Sequence, residues 1–352
     1  MFSQRYRKLH PYTPGEQPQN KKYIKLNTNE NPYPPSPEVE KVLKNFSADN
    51  LRLYPDPAAL KLREAIAENV HLTPENVFAG NGSDEILSFC FYAFFGEENG
   101  NLLFPEHTYS FYPVYCAFYG IPYKKVPLSA DFEIDFSRFP DTENCSGVIF
   151  PNPNAPTGRL LSLQSIADFL RRFPENRWVI IDEAYIDFGG ESSVPLISAF
   201  PNCIIVRTFS KSHSLAGMRL GYVLGSPEAV KALTTVKDSF NSYPIDRLAQ
   251  KIGETAFRDQ DYYKKINEKV MQTRQRISEE LAALNWKVLP SAANFIFARK
   301  PGRTGAEIYS ELKKAGILVR HFDTPGIQDF IRITIGTDAD MDTFMKKCSS
   351  LF

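Results

Sequence analysis

Short apolar runs, Val77-Phe78-Ala79, Leu102-Leu103-Phe104, Val148-Ile149-Phe150, Val179-Ile180-Ile181 and Ile204-Ile205-Val206, recur along the chain, most of them separated by longer helix-compatible segments. Runs too apolar to alternate between two faces fit strands covered on both sides, and connections long enough for a helix fit parallel crossovers. An α/β fold with a mostly parallel sheet sandwiched by helices is therefore expected. Leu220 to Leu224 adds a strand, read as antiparallel because its connection from Val206 is shorter than a usual helical crossover.

The flanks differ from this middle. Pro11, Pro14, Pro18, Pro32, Pro34, Pro35 and Pro37 forbid long helices at the amino-terminal end, so an extended arm is expected there. Helical periodicity is expected only after Asp56-Pro57, where Leu60, Leu62, Ile66 and Val70 recur among charged residues. Toward the other end, Ile266, Val270, Ile277, Leu281 and Leu284 keep helical spacing and predict a long amphipathic helix. Beyond Trp286, shorter strands are expected at Phe295–Ala298, Leu318–Arg320 and Phe330–Ile335, an α+β pattern. The expected division is an arm over 1–34, a large domain over 35–245 and a smaller carboxyl-terminal domain over 246–352.

The 41 basic and 41 acidic residues cancel. No overall field would draw the chain to nucleic acid or to an anionic membrane, so any anion site must be local. Five scattered cysteines without a Cys-x-x-Cys pair, and histidines without a His-x-x-x-His pair, argue against disulfides and metal and for a reducing compartment. Met1-Phe2-Ser3-Gln4-Arg5-Tyr6-Arg7 has no apolar run behind it, and no stretch is long enough to span a bilayer. A cytoplasmic location is expected.

The chemistry-bearing residues gather after the strands, where α/β folds form ligand crevices. Lys211, in Thr208-Phe209-Ser210-Lys211-Ser212, is either a surface lysine or an amine placed to form a Schiff base with an aldehyde. Ser210 and Arg219 suit a phosphate on the same molecule. Gly80-Asn81-Gly82-Ser83-Asp84-Glu85 follows a strand and opens a helix, which reads as a phosphate-binding turn or as a plain capped helix start. Asp182 ends the most apolar strand and needs a cationic partner, an arginine or a protonated ring nitrogen. Tyr185 is placed to donate to a ring oxygen, as is an asparagine of Pro151-Asn152-Pro153-Asn154. Tyr109 reads either as core or as a stacking face.

Taken in order, Asn81-Gly82-Ser83-Asp84-Glu85, Thr108-Tyr109-Ser110, Asn154-Ala155-Pro156-Thr157-Gly158, Asp182-Glu183-Ala184-Tyr185 and the run from Ser210 to Gly221 resemble the fold-type I pyridoxal-phosphate aminotransferases. Within them the chain is most similar to the histidinol-phosphate aminotransferase family. His10 to Glu16, Thr28 to Pro32, Leu53 to Asp56 and Phe330 to Gly336 also match.

The resemblance implies a seven-stranded sheet in the large domain and pyridoxal 5'-phosphate held covalently by Lys211. Asp182 would pair with the ring nitrogen, Tyr185 and Asn154 would contact the ring oxygen, and Tyr109 would stack on the ring. Gly82, Ser83, Asp84, Ser210 and Arg219 would surround the phosphate. Tyr54 would reach the cofactor of a neighbouring subunit, which implies a homodimer. Tyr12, Asn29, Arg320 and Arg332 would take the substrate. One departure is Ala155, where the commoner pattern has asparagine, leaving Asn154 to supply the amide.

The implied reaction is ping-pong transfer of the amino group of L-histidinol phosphate to 2-oxoglutarate, giving imidazole acetol phosphate and glutamate in histidine biosynthesis. Aromatic amino-acid transamination and threonine-phosphate decarboxylation are alternatives on the same scaffold. A DNA-binding regulator would need a helix-turn-helix that the proline-rich arm does not supply. A nucleotide-binding Rossmann enzyme would need a full glycine fingerprint, which is missing.

Overall fold

The computed structural model describes residues 3–7, 9–18, 22–96, 100–140 and 142–352. The reading of the amino terminus as free of a signal segment rests partly on Met1 and Phe2, outside the described residues. After a short helix α1 (Gln4–Arg7), the arm forms β1 (Ile24–Lys25). The main sheet then takes β2 (Val77–Gly80), β3 (Asn101–Pro105), β4 (Tyr123–Val126), β5 (Cys145–Pro151), β6 (Trp178–Asp182), β7 (Cys203–Thr208) and β8 (Gly221–Leu224). Their spatial order is β2-β8-β7-β6-β5-β3-β4. Only β8 runs against its neighbours, as its short connection predicts. The carboxyl ends of β2, β3, β5, β6 and β7 thus share one edge of the sheet, and that edge carries the site.

Burial accounts for the strands. Val77, Leu102, Val148, Ile149, Val179, Ile180, Ile204 and Ile205 are all fully buried or nearly so, because helices cover both faces. Strand β4 escapes the apolar pattern: Tyr123, Lys124 and Lys125 are exposed, and among the described residues it pairs only with β3. Lysines on an edge strand discourage pairing with other chains, so the same polarity that hides this strand from a hydrophobicity reading suits its place.

Helices α2 (Pro37–Asn45), α3 (Leu60–Asn69), α4 (Gly82–Phe94), α5 (Tyr112–Tyr119), α6 (Leu163–Arg172), α7 (Pro227–Phe240), α8 (Arg247–Arg258) and α9 (Gln260–Ala283) complete the large unit and lead out of it. Helix α2 begins earlier than the expected start after Pro57. Pro37 occupies its first turn, where a missing N–H costs nothing and the fixed φ helps. The packing also crosses the expected boundary at 245/246. Ala249, Ile252, Ala256 and Phe257 of α8 share a core with Leu62, Ile66 and Val77, and α9 contributes Ile266 to that core but Val270, Ile277 and Leu281 to the next.

In the smaller unit, β9 (Lys287–Val288), β10 (Phe295–Arg299), β12 (Arg320–His321) and β13 (Ile331–Thr334) form an antiparallel sheet, with α10 (Gly305–Lys314) and α11 (Asp338–Leu351). The expected single strand over Leu318–Arg320 is two: β11 (Ile317–Leu318) pairs in parallel with β1, while Arg320 turns to β13. The arm is therefore not wholly free, since Leu26 enters the small core beside Ile317 and Ile333.

Candidate active site

A cavity of about 480 Å³ opens at the carboxyl edge of the sheet, walled by Ser83, Asp84, Tyr109, Asp182, Tyr185, Thr208, Ser210, Lys211 and Arg219 among others. A larger depression of about 720 Å³ lies between the arm and the small unit, but none of these groups line it.

One end is built for an anion. Gly82 opens α4 at φ +85°, and a Cβ there would meet Arg219 Nη2 at 2.8 Å, so glycine lets the guanidinium lie against the helix start. The first-turn amides of α4 have no partner within the helix and carry its positive end. Arg219 sits in the left-handed region at φ 53°, with Nη2 3.4 Å from Asp84 Oδ2. Ser210, nearly buried, donates its backbone N–H to Thr208 Oγ1 at 3.1 Å.

The other end is built for a cation. Asp182 is only 4% exposed and accepts from Tyr112 Oη at 3.0 Å and the Ala184 N–H at 3.2 Å. Burial pushes its carboxyl up to about 6. Among the described residues no lysine or arginine is within ion-pair distance, so the arginine alternative falls away and a cationic ring nitrogen would fit. Tyr112 is a member of this site that the sequence hid. It is one aromatic among many, and only the fold shows its hydroxyl meeting Asp182.

Between these ends, the Tyr109 hydroxyl donates to Asp84 Oδ1 at 2.7 Å, and its ring stands edge-on to Tyr112 at 5.6 Å. The ring plane is fixed at both its tip and its side. Lys211 Nζ donates to Thr28 O at 3.1 Å and lies 5.8 Å from the centre of the Tyr185 ring. Behind it, Ser212 Oγ donates to Asp187 Oδ2 at 2.6 Å, and Arg207 pairs with buried Glu183 at 2.9 Å. The amine, the carboxylate and the anion end together fit a phosphorylated aldehyde bearing a basic ring nitrogen.

Two expected contacts come out differently. Asn154 Nδ2 donates to His107 O at 2.9 Å and to Thr157 Oγ1 at 3.1 Å, and its Oδ1 accepts from Thr108. Both amide hydrogens are used in bracing the turn, leaving none for a ring oxygen. Asn29 lines a second, adjoining compartment, but its side chain is turned inward: Nδ2 donates to the Tyr185 hydroxyl at 2.9 Å and Oδ1 accepts from Thr334 Oγ1. By occupying a lone pair of that phenol, Asn29 directs the Tyr185 proton elsewhere.

Beyond Lys211 lies a smaller compartment of about 150 Å³, lined by Tyr12, Tyr109, Tyr185, Arg320, Phe322 and Arg332 among others. Arg320 and Arg332 face each other across β12 and β13. Arg332 donates to Asn27 O at 3.1 Å, while its Nε is buried without a partner. Phe322 was not anticipated; its ring lies 5.6 Å from the guanidinium carbon of each arginine. Tyr54 is not brought to this cavity. It is 78% exposed and stacks on Tyr243 at 4.7 Å, on the outer surface.

Among the described residues no cluster of His, Cys, Asp or Glu is arranged to hold a metal, and no helix is long and apolar enough to cross a membrane.

The histidinol-phosphate aminotransferase of Syntrophus aciditrophicus is 54% identical over 354 aligned residues, covering 100% of this chain and 98% of the relative. That of Chromohalobacter salexigens is 51% identical, covering 98% and 97%. The crystal structure of histidinol-phosphate aminotransferase from Sinorhizobium meliloti in complex with pyridoxal-5'-phosphate superposes with a TM-score of 0.85 at 27% identity, covering 94% of this chain and 92% of that one. The family model for aminotransferase class I and II matches residues 21–347, and the chain belongs to that family.

Proposed function

We propose that this enzyme is a pyridoxal-phosphate-dependent aminotransferase that takes the amino group of L-histidinol phosphate and passes it to 2-oxoglutarate, in the service of histidine biosynthesis. The observation that carries the substrate assignment is the facing pair Arg320 and Arg332, neither of which has a carboxylate partner among the described residues. Two like charges directly opposite on a sheet repel. A phosphate dianion placed between them, with the Tyr12 hydroxyl nearby, relieves that repulsion and matches guanidinium geometry. The Syntrophus and Chromohalobacter relatives, named for this reaction, support the same reading. In the second half-reaction the same arginines would take a carboxylate of 2-oxoglutarate or glutamate.

When bound, the cofactor supplies an electron sink for the charge left as a C–H bond beside nitrogen breaks. The residues of the chain bind, orient and move protons around it. Ser83, Asp84 and Gly82, mainly through backbone groups, with Ser210 and Arg219, would hold its phosphate. Asp182 would keep its ring nitrogen protonated, and Tyr109 would cover one face. Tyr185 Oη, its lone pair already engaged by Asn29, would donate to the ring oxygen without Asn154. Lys211 Nζ would anchor the cofactor at rest and, once released by the substrate amine, carry the proton between substrate and cofactor carbons. The active form would be a homodimer in which exposed Tyr54 reaches the partner's cofactor phosphate. Five buried, unpaired cysteines suit a reducing cytoplasm.

The test is a single half-reaction. Purified enzyme mixed with L-histidinol phosphate should convert the visible absorbance of its lysine-bound cofactor to that of the aminated form, without keto acid. Conversion by phenylalanine alone would move the substrate to an aromatic amino acid, and carbon dioxide release from threonine phosphate would replace transamination with decarboxylation.

A further inference from the structure

The loop that carries Tyr54 is clamped from behind by side chains with no place in the cavity. Arg247 Nη2 donates to Tyr54 O at 2.5 Å, Gln250 Nε2 to Asp56 O at 2.8 Å, and Lys237 Nζ to Pro57 O at 3.0 Å. Each donor comes from α7 or α8, and each takes a different carbonyl of one short stretch. Surface-loop carbonyls are ordinarily satisfied by water, and long side chains lose rotamer freedom when fixed. Lys237 is the most telling member. It is only 5% exposed, a rare place for a lysine, and its ammonium also reaches Ser242 O at 3.3 Å and Asp238 Oδ1 at 2.7 Å. It thereby ties the Tyr54 loop to the loop carrying Tyr243, whose ring stacks on Tyr54. On the other side, the Asp56 carboxylate accepts the N–H groups of Ala58 and Leu60 at 3.0 and 2.8 Å, fixing the loop to the start of α3.

All of this holds the backbone still while the Tyr54 side chain stays exposed. We propose that Lys237, Gln250 and Arg247 are positioning residues that act in trans. They set the Tyr54 hydroxyl for the neighbouring subunit's cofactor phosphate and leave their own subunit's site untouched. This rests on the reading of Tyr54 given above.

The test uses heterodimers in which one chain carries Lys211→Ala, so that only the other chain links cofactor. Lys237→Met or Gln250→Ala is placed either on the Lys211→Ala chain or on the intact chain, and loss of lysine-bound cofactor absorbance on dilution is followed. The clamp variant on the Lys211→Ala chain should speed cofactor loss roughly five- to tenfold, the effect of one net hydrogen bond. The same variant on the intact chain should leave the rate unchanged. Gln250 is only partly buried, so its variant tests the idea even where Lys237→Met does not fold. Tyr54→Phe in the same two arrangements separates the layers. If Tyr54→Phe acts in trans and the clamp variants do not, the clamp is overturned and the Tyr54 reading stands. An effect of the clamp variants only on the intact chain also overturns it. If Tyr54→Phe has no trans effect, both ideas fall together.

Discussion

Arg320 and Arg332 are direct cross-strand partners between β12 and β13. Burial, and secondarily the facing Arg320 charge, hold the Arg332 guanidinium below the usual arginine range. On the proposed function, an anion placed between them would offset that repulsion.

Replacing Arg332 with lysine keeps the charge but loses the planar fork. We expect KM for L-histidinol phosphate to rise on the order of 100-fold, the equivalent of about 2–3 kcal/mol of charge-assisted hydrogen bonding, with a smaller change in kcat. Arg320→Gln should weaken substrate similarly but change the melting temperature of the substrate-free enzyme little, because relief of like-charge repulsion is offset by loss of the bonds to Thr13 O and Pro14 O. Steady-state kinetics and thermal melts with and without inorganic phosphate check both; an Arg320→Gln protein that melts lower and binds substrate normally would contradict the pairing.

Asp182 makes a pH-dependent prediction. Its folded carboxyl is pushed up to about 6 from an ordinary 3.8, chiefly by burial, so between those values the native protein binds a proton that the unfolded chain does not. By linkage its ionisation costs the cofactor-free enzyme stability above pH 6, and that cost fades as pH falls toward 4. Cofactor-free Asp182→Asn should therefore be more stable than wild type near pH 8, by about 3 kcal/mol at most, with the gap closing below pH 5. Denaturant titrations of both proteins at several pH values measure it. With cofactor bound the order should reverse, since asparagine cannot hold the ring nitrogen protonated.

Asn29 joins two requirements in one residue. Its φ of 56° lies in the left-handed region, which asparagine tolerates better than most side chains, and its amide holds the Tyr185 hydroxyl. Asn29→Ala should lose about 1–3 kcal/mol of stability from backbone strain and unpaired Thr334 and Tyr185 groups. Asn29→Gly relieves the strain alone and should recover part of that loss. Both variants should shift the pH at which the lysine-bound cofactor changes colour, because both free the Tyr185 phenol. A colour transition unmoved in both would show that Asn29 supports only the backbone.

The sheet was legible because its strands are buried on both faces, and burial leaves continuous apolar runs such as Val148-Ile149-Phe150. What escaped has weak local pattern for a physical reason: β4 is a lysine-bearing edge, and β1 is only Ile24 and Lys25, ordered by distant Ile317 and Leu318. In the site, Lys211, Asp182 and Arg219 could be placed from their positions after strands. Tyr112 and the bracing of the turn by Asn154 could not, because each depends on a partner far away in sequence, Asp182 for one and His107 for the other. The facing of Arg320 and Arg332 was equally hidden, since it arises only when the Leu318–Arg320 stretch divides between two sheets.

Gly82 offers the sharpest test of the anion end. At φ +85°, with Arg219 Nη2 2.8 Å from where a Cβ would stand, alanine meets both backbone strain and a guanidinium that must move. Gly82→Ala should cost about 1–3 kcal/mol of stability and, by displacing Arg219, weaken cofactor retention roughly tenfold. Gly217 is the control for the backbone effect, because a Cβ there meets nothing within 4 Å and its φ is not positive. Gly217→Ala should leave stability within about 0.5 kcal/mol of wild type. Arg219→Lys in the Gly82→Ala background then separates steric from electrostatic loss. If Gly82 acts through Arg219, the second substitution adds little to the first, and full additivity of the two cofactor affinities would show that they act apart.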